Sequence, residues 1–145
     1  MRKNAKQKLI DFMYYKNKLI QNFLDIESEY FNKDDENVIR NWSDKTCKRI
    51  VRDIKNNFDD SGYCDAQICP FCILHISPMG CDACEYIKFH GNCNDDDSTY
   101  DTIDFYFKDK YGFDNFNGPI RSIIIKTKSK KKLLDILNRG LQNEE

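Results

Sequence analysis

Long hydrophobic runs are missing from this sequence of 145 residues. Its basic N-terminus resembles the start of a signal peptide, but Asp11, Lys16 and Lys18 interrupt any apolar run long enough for the hydrophobic region of such a peptide. No other stretch approaches the ~20 consecutive apolar residues of a membrane-spanning helix. We therefore expect a soluble protein that has no membrane partner and lies in the cytoplasm.

The sequence motifs of several common enzyme classes are also missing. There is no Walker A motif, no G-x-G-x-x-G, no H-E-x-x-H and no G-x-S-x-G, and no H-x-E precedes the cysteine pairs as in the zinc deaminases. Asp95, Asp96 and Asp97 could coordinate Mg²⁺ as in a nuclease, but a solvated acidic helix cap explains them with less strain. The sequence therefore predicts a protein that is not an enzyme.

Glycine and proline are scarce, with 6 and 3 residues, and they mostly mark turns outside the segments whose apolar residues recur at helical spacing. One apolar stripe follows residues 5–31, and a second begins after the acidic NKDDEN, where Asp34 or Asp35 should cap a second helix. Residues 1–62 are therefore predicted to form a helical hairpin. The two stripes comprise Leu9, Phe12, Met13, Ile20, Phe23, Leu24, Tyr30, Val38, Trp42, Cys47, Ile50, Val51, Ile54 and Phe58. The lysines of the first helix should lie largely on its opposite side, at Lys6, Lys8, Lys16 and Lys18.

The remaining chain is predicted to contain a metal-binding module, residues 63–94, and a helix-strand-helix segment, residues 95–145. The latter has a short aromatic helix over about residues 99–111, a β-branched strand, IRSIIIKT, and a terminal helix with a leucine stripe. The strand should pair with short strands inside the metal-binding module. We expect one domain of residues 1–145 with an α+β fold that is mostly α.

Five of the seven cysteines recur at gaps of two and eight residues, in the order Cys69, Cys72, Cys81, Cys84 and Cys93. A Cys-x2-Cys turn brings two sulfurs to one ion, and clustered thiols in a reducing compartment are typical of metal sites rather than disulfides. The predicted cofactor is one Zn²⁺ in a closed structural site of a zinc-knuckle module. Its predicted ligands are Cys69, Cys72, Cys81 and Cys84, with Cys93 as the first substitute.

Other residues leave the ligand set open. Cys64 and His90 are further candidate ligands, and the spare cysteines make an iron–sulfur cluster the alternative to zinc. His75 and His90 do not have the spacing of a zinc finger, so both are also interpreted as surface or supporting polar groups. Cys47 fits the apolar stripe of its helix and is predicted to be a small core residue.

The order CPFC, CDAC and HGNC, preceded by the tryptophan-bearing segment NVIRNWSDKTCKRI, resembles a group of small phage and prophage proteins of unknown function that carry CPLC, CxxCP and GxC. The likeness covers about residues 36–100. Glu85 stands where proline is usual in that group, so the local turn differs. The resemblance implies metal binding and a phage or mobile-element origin, with the cytoplasm of a host cell as the location, and it implies no reaction.

A host protein is the expected partner, bound as a small inhibitor or anti-defence factor would bind it. Phe113 and Phe116 lie in a turn-rich loop where no helix would bury them, and exposed loop aromatics are typical interface anchors. Alternatively, the two rings fold back over the core.

A nucleic-acid-binding regulator is the alternative function. The net charge of −1 argues against attraction over the whole surface, but the basic segment KTKSKKK could contact phosphates locally. A solvated loop that spreads its charges into water explains the segment equally well. The candidate phosphate-binding residues are Lys126, Lys128, Lys130, Lys131 and Lys132.

Overall fold

The computed structural model describes residues 3–24, 27–59, 69–75 and 83–93, together with Ser98, Thr102, Phe105 and Asp109. These residues are mostly helical and include no strand, so the mostly α prediction is confirmed. The helices are α1 (Ala5–Leu24), α2 (Lys33–Asn41), α3 (Asp44–Asp59), α4 (Pro70–Leu74) and α5 (Ile87–His90). The predicted strand, 120–127, and the predicted terminal helix lie outside the described residues. Across the described part of the chain, no helix is long and apolar enough to cross a membrane.

The apolar stripe of α1 forms one side of the core, as predicted. Leu9, Phe12, Met13 and Ile20 are buried, and α1 packs against α2 and α3. The side chains of Phe23 and Leu24 lie outside the described residues.

The helix predicted to continue to Phe31 ends at Leu24, and the described residues 27–31 are not helical. Ser28 organises this segment: its carbonyl oxygen accepts a hydrogen bond from Gln21 Nε2 at 2.9 Å, and its hydroxyl oxygen accepts one from the backbone N–H of Tyr30 at 3.3 Å. A serine that hydrogen-bonds the nearby backbone competes with helix continuation. The segment returns Tyr30 and Phe31 to the core.

Two lysines of α1 contradict the prediction that they lie on the exposed side. Lys8 and Lys16 are 0% exposed, whereas Lys18 is exposed. Lys16 reaches Tyr30, with its Nζ 3.4 Å from the hydroxyl oxygen and 5.1 Å from the ring centroid. Apolar periodicity misplaces such a residue because the aliphatic stem of lysine packs like an apolar side chain while its ammonium group finds a polar or aromatic partner.

The predicted second helix is divided into α2 and α3 at Trp42 and Ser43. Trp42 has an extended backbone, with φ −70° and ψ 153°. The hydroxyl oxygen of Ser43 then accepts a hydrogen bond from the backbone N–H of Thr46 at 3.1 Å, which satisfies one of the unpaired donors in the first turn of α3.

Asn32, rather than Asp34 or Asp35, caps α2. Its Oδ1 accepts hydrogen bonds from the backbone N–H groups of Asp34 and Asp35 at 2.9 and 3.1 Å, and Oδ2 of Asp35 accepts one from the backbone N–H of Asn32 at 3.1 Å. This reciprocal arrangement is a capping box. It fixes the side chain of Asp35, which is 0% exposed, at the N-terminal end of α2.

The second apolar stripe completes the core, as predicted. Its buried members are Val38, Trp42, Cys47, Ile50, Val51 and Ile54. The side chain of Phe58 lies outside the described residues. The helix α3 also packs against α4. The cysteine-bearing segment that contains α4 therefore lies against this core.

Candidate metal centre

Four cysteines lie in or next to the short helices α4 and α5. The cysteine-bearing segments are residues 69–75 and 83–93. Cys69 immediately precedes α4, and Cys72 lies within it; Cys84 precedes α5, and Cys93 follows it. Pro70 is the first residue of α4, a position where its missing N–H leaves no hydrogen bond unmade. Cys69 is buried, and Cys72, Cys84 and Cys93 are partly buried. Cys64 and Cys81 lie outside the described residues.

Cys69 and Cys72 interact directly. The thiol of Cys72 donates a hydrogen bond to the sulfur of Cys69, and this bond lowers the pKa of Cys69 to about 6, although burial opposes the ionisation. The backbone N–H groups of Cys72 and Phe71 also favour the thiolate of Cys69. The same hydrogen bond raises the pKa of Cys72. The pair therefore loses one proton readily and holds the second tightly.

Cys84 and Cys93 belong to the same cluster. Their negative charges, after those of Cys69, contribute to the raised pKa of Cys72. A divalent cation bound between these sulfurs would reverse the effect, because it would favour the charged form of each. We call Cys69, Cys72, Cys84 and Cys93 the thiol cluster.

Within the described residues, however, no three or more His, Cys, Asp or Glu side chains are arranged to hold a metal ion. The thiol cluster is thus a set of neighbouring donors and not a closed coordination shell in this structure. The predicted ligand set overlaps with it at Cys69, Cys72 and Cys84, and the predicted substitute, Cys93, is its fourth member. Zinc binding remains a prediction.

Tyr86 lies beside the thiol cluster. Its ring centroid is 5.9 Å from that of Phe71 and 5.7 Å from that of Tyr30, and its buried hydroxyl oxygen has no hydrogen-bond partner in the described part of the chain. Burial raises the pKa of Tyr86, and the charges of Cys69 and Asp35 raise it further. The hydroxyl therefore keeps its proton, which it could donate to a thiolate sulfur.

A buried cation also faces the cluster. Lys16, which is 0% exposed, interacts electrostatically with Cys69 and favours its thiolate. Burial of an ammonium group is costly unless an opposite charge or a hydrogen bond compensates it. Tyr30 supplies a hydrogen bond, and thiolates would supply the opposite charge.

His90 joins α5 to the capped end of α2. Its Nε2 lies 2.6 Å from Oδ2 of Asp35, and the two side chains are 2% and 0% exposed. The His90 ring stacks on Tyr86, with centroids 4.2 Å apart and an interplanar angle of 16°. Because Nε2 contacts Asp35, a metal bound by His90 would have to be held through Nδ1. A carboxyl group on the far nitrogen is also the usual partner of a metal-bound histidine.

Trp42 makes a second connection between the helices and the cysteine-bearing segments. Its indole Nε1 donates a hydrogen bond to Oε1 of Glu85 at 3.0 Å, and its ring packs edge-on against Phe71 with centroids 5.5 Å apart. Oε1 of Glu85 also lies 3.7 Å from Nε2 of His75. Glu85 therefore connects Trp42 with the segment of residues 83–93.

The other predicted site residues are not placed by this structure. Phe113, Phe116 and the lysines from Lys126 to Lys132 lie outside the described residues. Sequence reasoning missed the roles of Lys16, Tyr86 and Asp35, because none of them belongs to a motif. The described residues do include two exposed aromatic side chains, Phe89 at 44% and Phe105 at 68%.

Comparison with known proteins adds no relative: no protein-family model, curated protein or solved structure matches this chain.

Proposed function

We propose that the protein is a non-catalytic binding protein whose cysteine-bearing segments are held by one structural Zn²⁺. The observation that supports this most is the electrostatic coupling of Cys72 to Cys69, Cys84 and Cys93, together with the buried Lys16 that acts on Cys69. A closed site of four thiolates leaves no coordination position open for a substrate. Its binding free energy would contribute to folding.

The proposed ligands are Cys69, Cys72, Cys84 and Cys93. Cys93 stands in place of Cys81 of the sequence-based set because its charge acts on Cys72; Cys81 lies outside the described residues. The segment CPFC would act as a zinc knuckle, in which the N–H groups of the turn stabilise one thiolate. We also propose that the β-branched residues 120–127 form the strand of an α+β domain.

The positive charge of the buried Lys16 supports a centre of thiolates over one of four neutral thiols. Four thiolates and one Zn²⁺ carry a net charge of about −2, which a buried environment disfavours. Lys16 would offset part of this charge, and the hydroxyl of Tyr86 could donate to a sulfur. An iron–sulfur cluster is the alternative occupant because it takes the same number of cysteine ligands.

Cobalt substitution tests the ligand set, since Co²⁺ occupies zinc sites and its sulfur-to-metal absorption increases with the number of thiolates bound. Replacement of Cys93 with Ser should reduce this absorption by about a quarter, as loss of one of four thiolate ligands implies. Cys81→Ser and Cys47→Ser should leave it unchanged. A reduction in Cys81→Ser with none in Cys93→Ser would restore the sequence-based set and contradict ours.

The proposed partner is a host macromolecule, given the resemblance to phage and prophage proteins, and a host protein is the first candidate. Phe89, which is 44% exposed on α5 next to the thiol cluster, supports it, because exposed aromatic side chains are frequent anchors of protein interfaces. Capture from a host lysate after nuclease treatment, compared between the wild type and Phe89→Ser, tests this role. A partner that binds both equally well would contradict it.

A further inference from the structure

The outward face of α3 carries a row of cations that the sequence motifs did not reveal. Lys45, Lys48, Arg49 and Arg52 are all exposed, and they follow one another at positions i, i+3, i+4 and i+7, which lie on one side of a helix. The opposite side of α3 is buried in the core through Cys47, Ile50, Val51 and Ile54. We call the four cations the α3 basic face.

The α3 basic face also borders a groove of about 550 Å³, and its described lining consists of the four cations and Thr46. One cation is partly compensated, because Arg49 Nη1 lies 3.3 Å from Oδ2 of Asp53. Among the described residues, Lys45, Lys48 and Arg52 have no carboxylate within ion-pair distance. The face is therefore locally basic although the whole protein has a net charge of −1.

We propose that the α3 basic face binds the phosphate backbone of double-stranded nucleic acid. This goes beyond the proposed function, since it concerns a second surface and a different class of partner and does not depend on the metal. Seven helical residues span about 10 Å. Because duplex DNA carries one negative charge per ~1.7 Å of its axis, about six phosphates pass within that length.

The chemistry of the face distinguishes this partner from others. A membrane-binding helix inserts an apolar face into lipid, but the apolar face of α3 is already buried in the core. Single-stranded nucleic acid is usually held by base stacking on aromatic side chains, and the residues that line the groove include no aromatic ring. Protein interfaces are anchored by aromatic side chains and arginine and are depleted of lysine, whereas half of the cations on this face are lysines. Exposed lysine and arginine beside threonine are typical of contacts to phosphate oxygens.

Fluorescence anisotropy with a labelled DNA duplex of mixed sequence tests the proposal, with the full-length protein and a series of salt concentrations. If three cations contact phosphates, the logarithm of the association constant should fall with the logarithm of the salt concentration at a slope of about −0.9 per contact. The affinity should then fall about 40-fold between 50 and 200 mM salt. The test variant carries Lys45→Gln, Lys48→Gln, Arg49→Gln and Arg52→Gln. Its slope should approach zero, and far-UV circular dichroism should show an unchanged helical content.

Two variants with the same change of four charges are the controls. One replaces exposed lysines elsewhere and carries Lys3→Gln, Lys18→Gln, Lys33→Gln and Lys88→Gln. The other replaces the C-terminal cluster and carries Lys128→Gln, Lys130→Gln, Lys131→Gln and Lys132→Gln. Retention of the wild-type slope in both would support the α3 basic face. A wild type that binds no duplex, or a loss in either control as large as in the α3 variant, would overturn the proposal.

The metal proposal and this one can fail separately. Zinc-free protein that is folded and still binds duplex with the wild-type salt slope would overturn the metal centre and leave the α3 basic face standing. Zinc-loaded protein that binds a host protein but no duplex would do the reverse.

Discussion

Replacement of His90 tests whether the cysteine-bearing segments are fastened to the helical core. Oδ2 of Asp35 has its shortest contact with Nε2 of His90, at 2.6 Å, and both side chains are almost fully buried. In His90→Leu the carboxyl group of Asp35 would stay buried, and among the described residues only the backbone N–H of Asn32 would still donate a hydrogen bond to it. A polar group that loses its partner in the interior costs ~3–5 kcal/mol when it is charged.

Loss of the stacking contact with Tyr86 adds ~0.5–1.5 kcal/mol. We therefore expect His90→Leu to lower the free energy of unfolding by about 5 kcal/mol, a large part of the 5–15 kcal/mol that is usual for a domain. His90→Gln keeps an N–H donor near the position of Nε2, so it should lose only about 1–2 kcal/mol.

Urea unfolding of zinc-loaded protein, followed by circular dichroism, measures these differences. Lys88→Ala is the matched control because Lys88 is an exposed residue of the same helix, and it should change stability by less than ~0.5 kcal/mol. A loss below ~1 kcal/mol in His90→Leu, or equal losses in the Leu and Gln variants, would refute the role of the Asp35–His90 contact.

Further predictions concern the buried lysines and the isolated thiol. Lys16→Met should weaken zinc binding about tenfold in a chelator competition, because it removes a cation that favours the thiolate of Cys69. Lys8→Met should not weaken it, and equal losses would contradict the charge argument. Burial raises the pKa of Cys47 from 9.0 to about 11, so at pH 8 iodoacetamide should spare Cys47 in the folded protein. The stability contributed by its protonated thiol is complete below about pH 9 and is lost as the pH rises through 11. Cys47→Ala should therefore flatten the decline of unfolding free energy in this pH range, and an unchanged decline would refute the assignment.

The helical core could be predicted from the sequence because apolar periodicity reports directly which side of a helix is buried. Leu9, Phe12 and Met13 in α1, like Ile50 and Val51 in α3, lie where their spacing placed them. Helix ends were less predictable, since they depend on individual hydrogen bonds of side chains with the backbone.

In the candidate site, the sequence could predict only those residues that belong to a motif. Cys-x2-Cys spacing identified Cys69 and Cys72, but the contact between Asp35 and His90 joins residues 55 positions apart, and no local pattern marks such a pair. Lys16 was assigned to the exposed side because its charge outweighed its aliphatic stem in the pattern.

The α3 basic face corresponds to the sequence K-x-x-K-R-x-x-R, which matches no known binding motif. Helical spacing, rather than density, places Lys45, Lys48, Arg49 and Arg52 on one surface.

Native mass spectrometry of protein purified without oxygen and without added metal tests the central proposal most directly. A structural tetrathiolate site predicts a mass excess of one zinc ion per chain, which disappears together with part of the helical signal when a chelator removes the metal. A fully folded protein with no bound metal would contradict the proposal. Stoichiometric iron with visible absorption would contradict zinc and establish the iron–sulfur alternative.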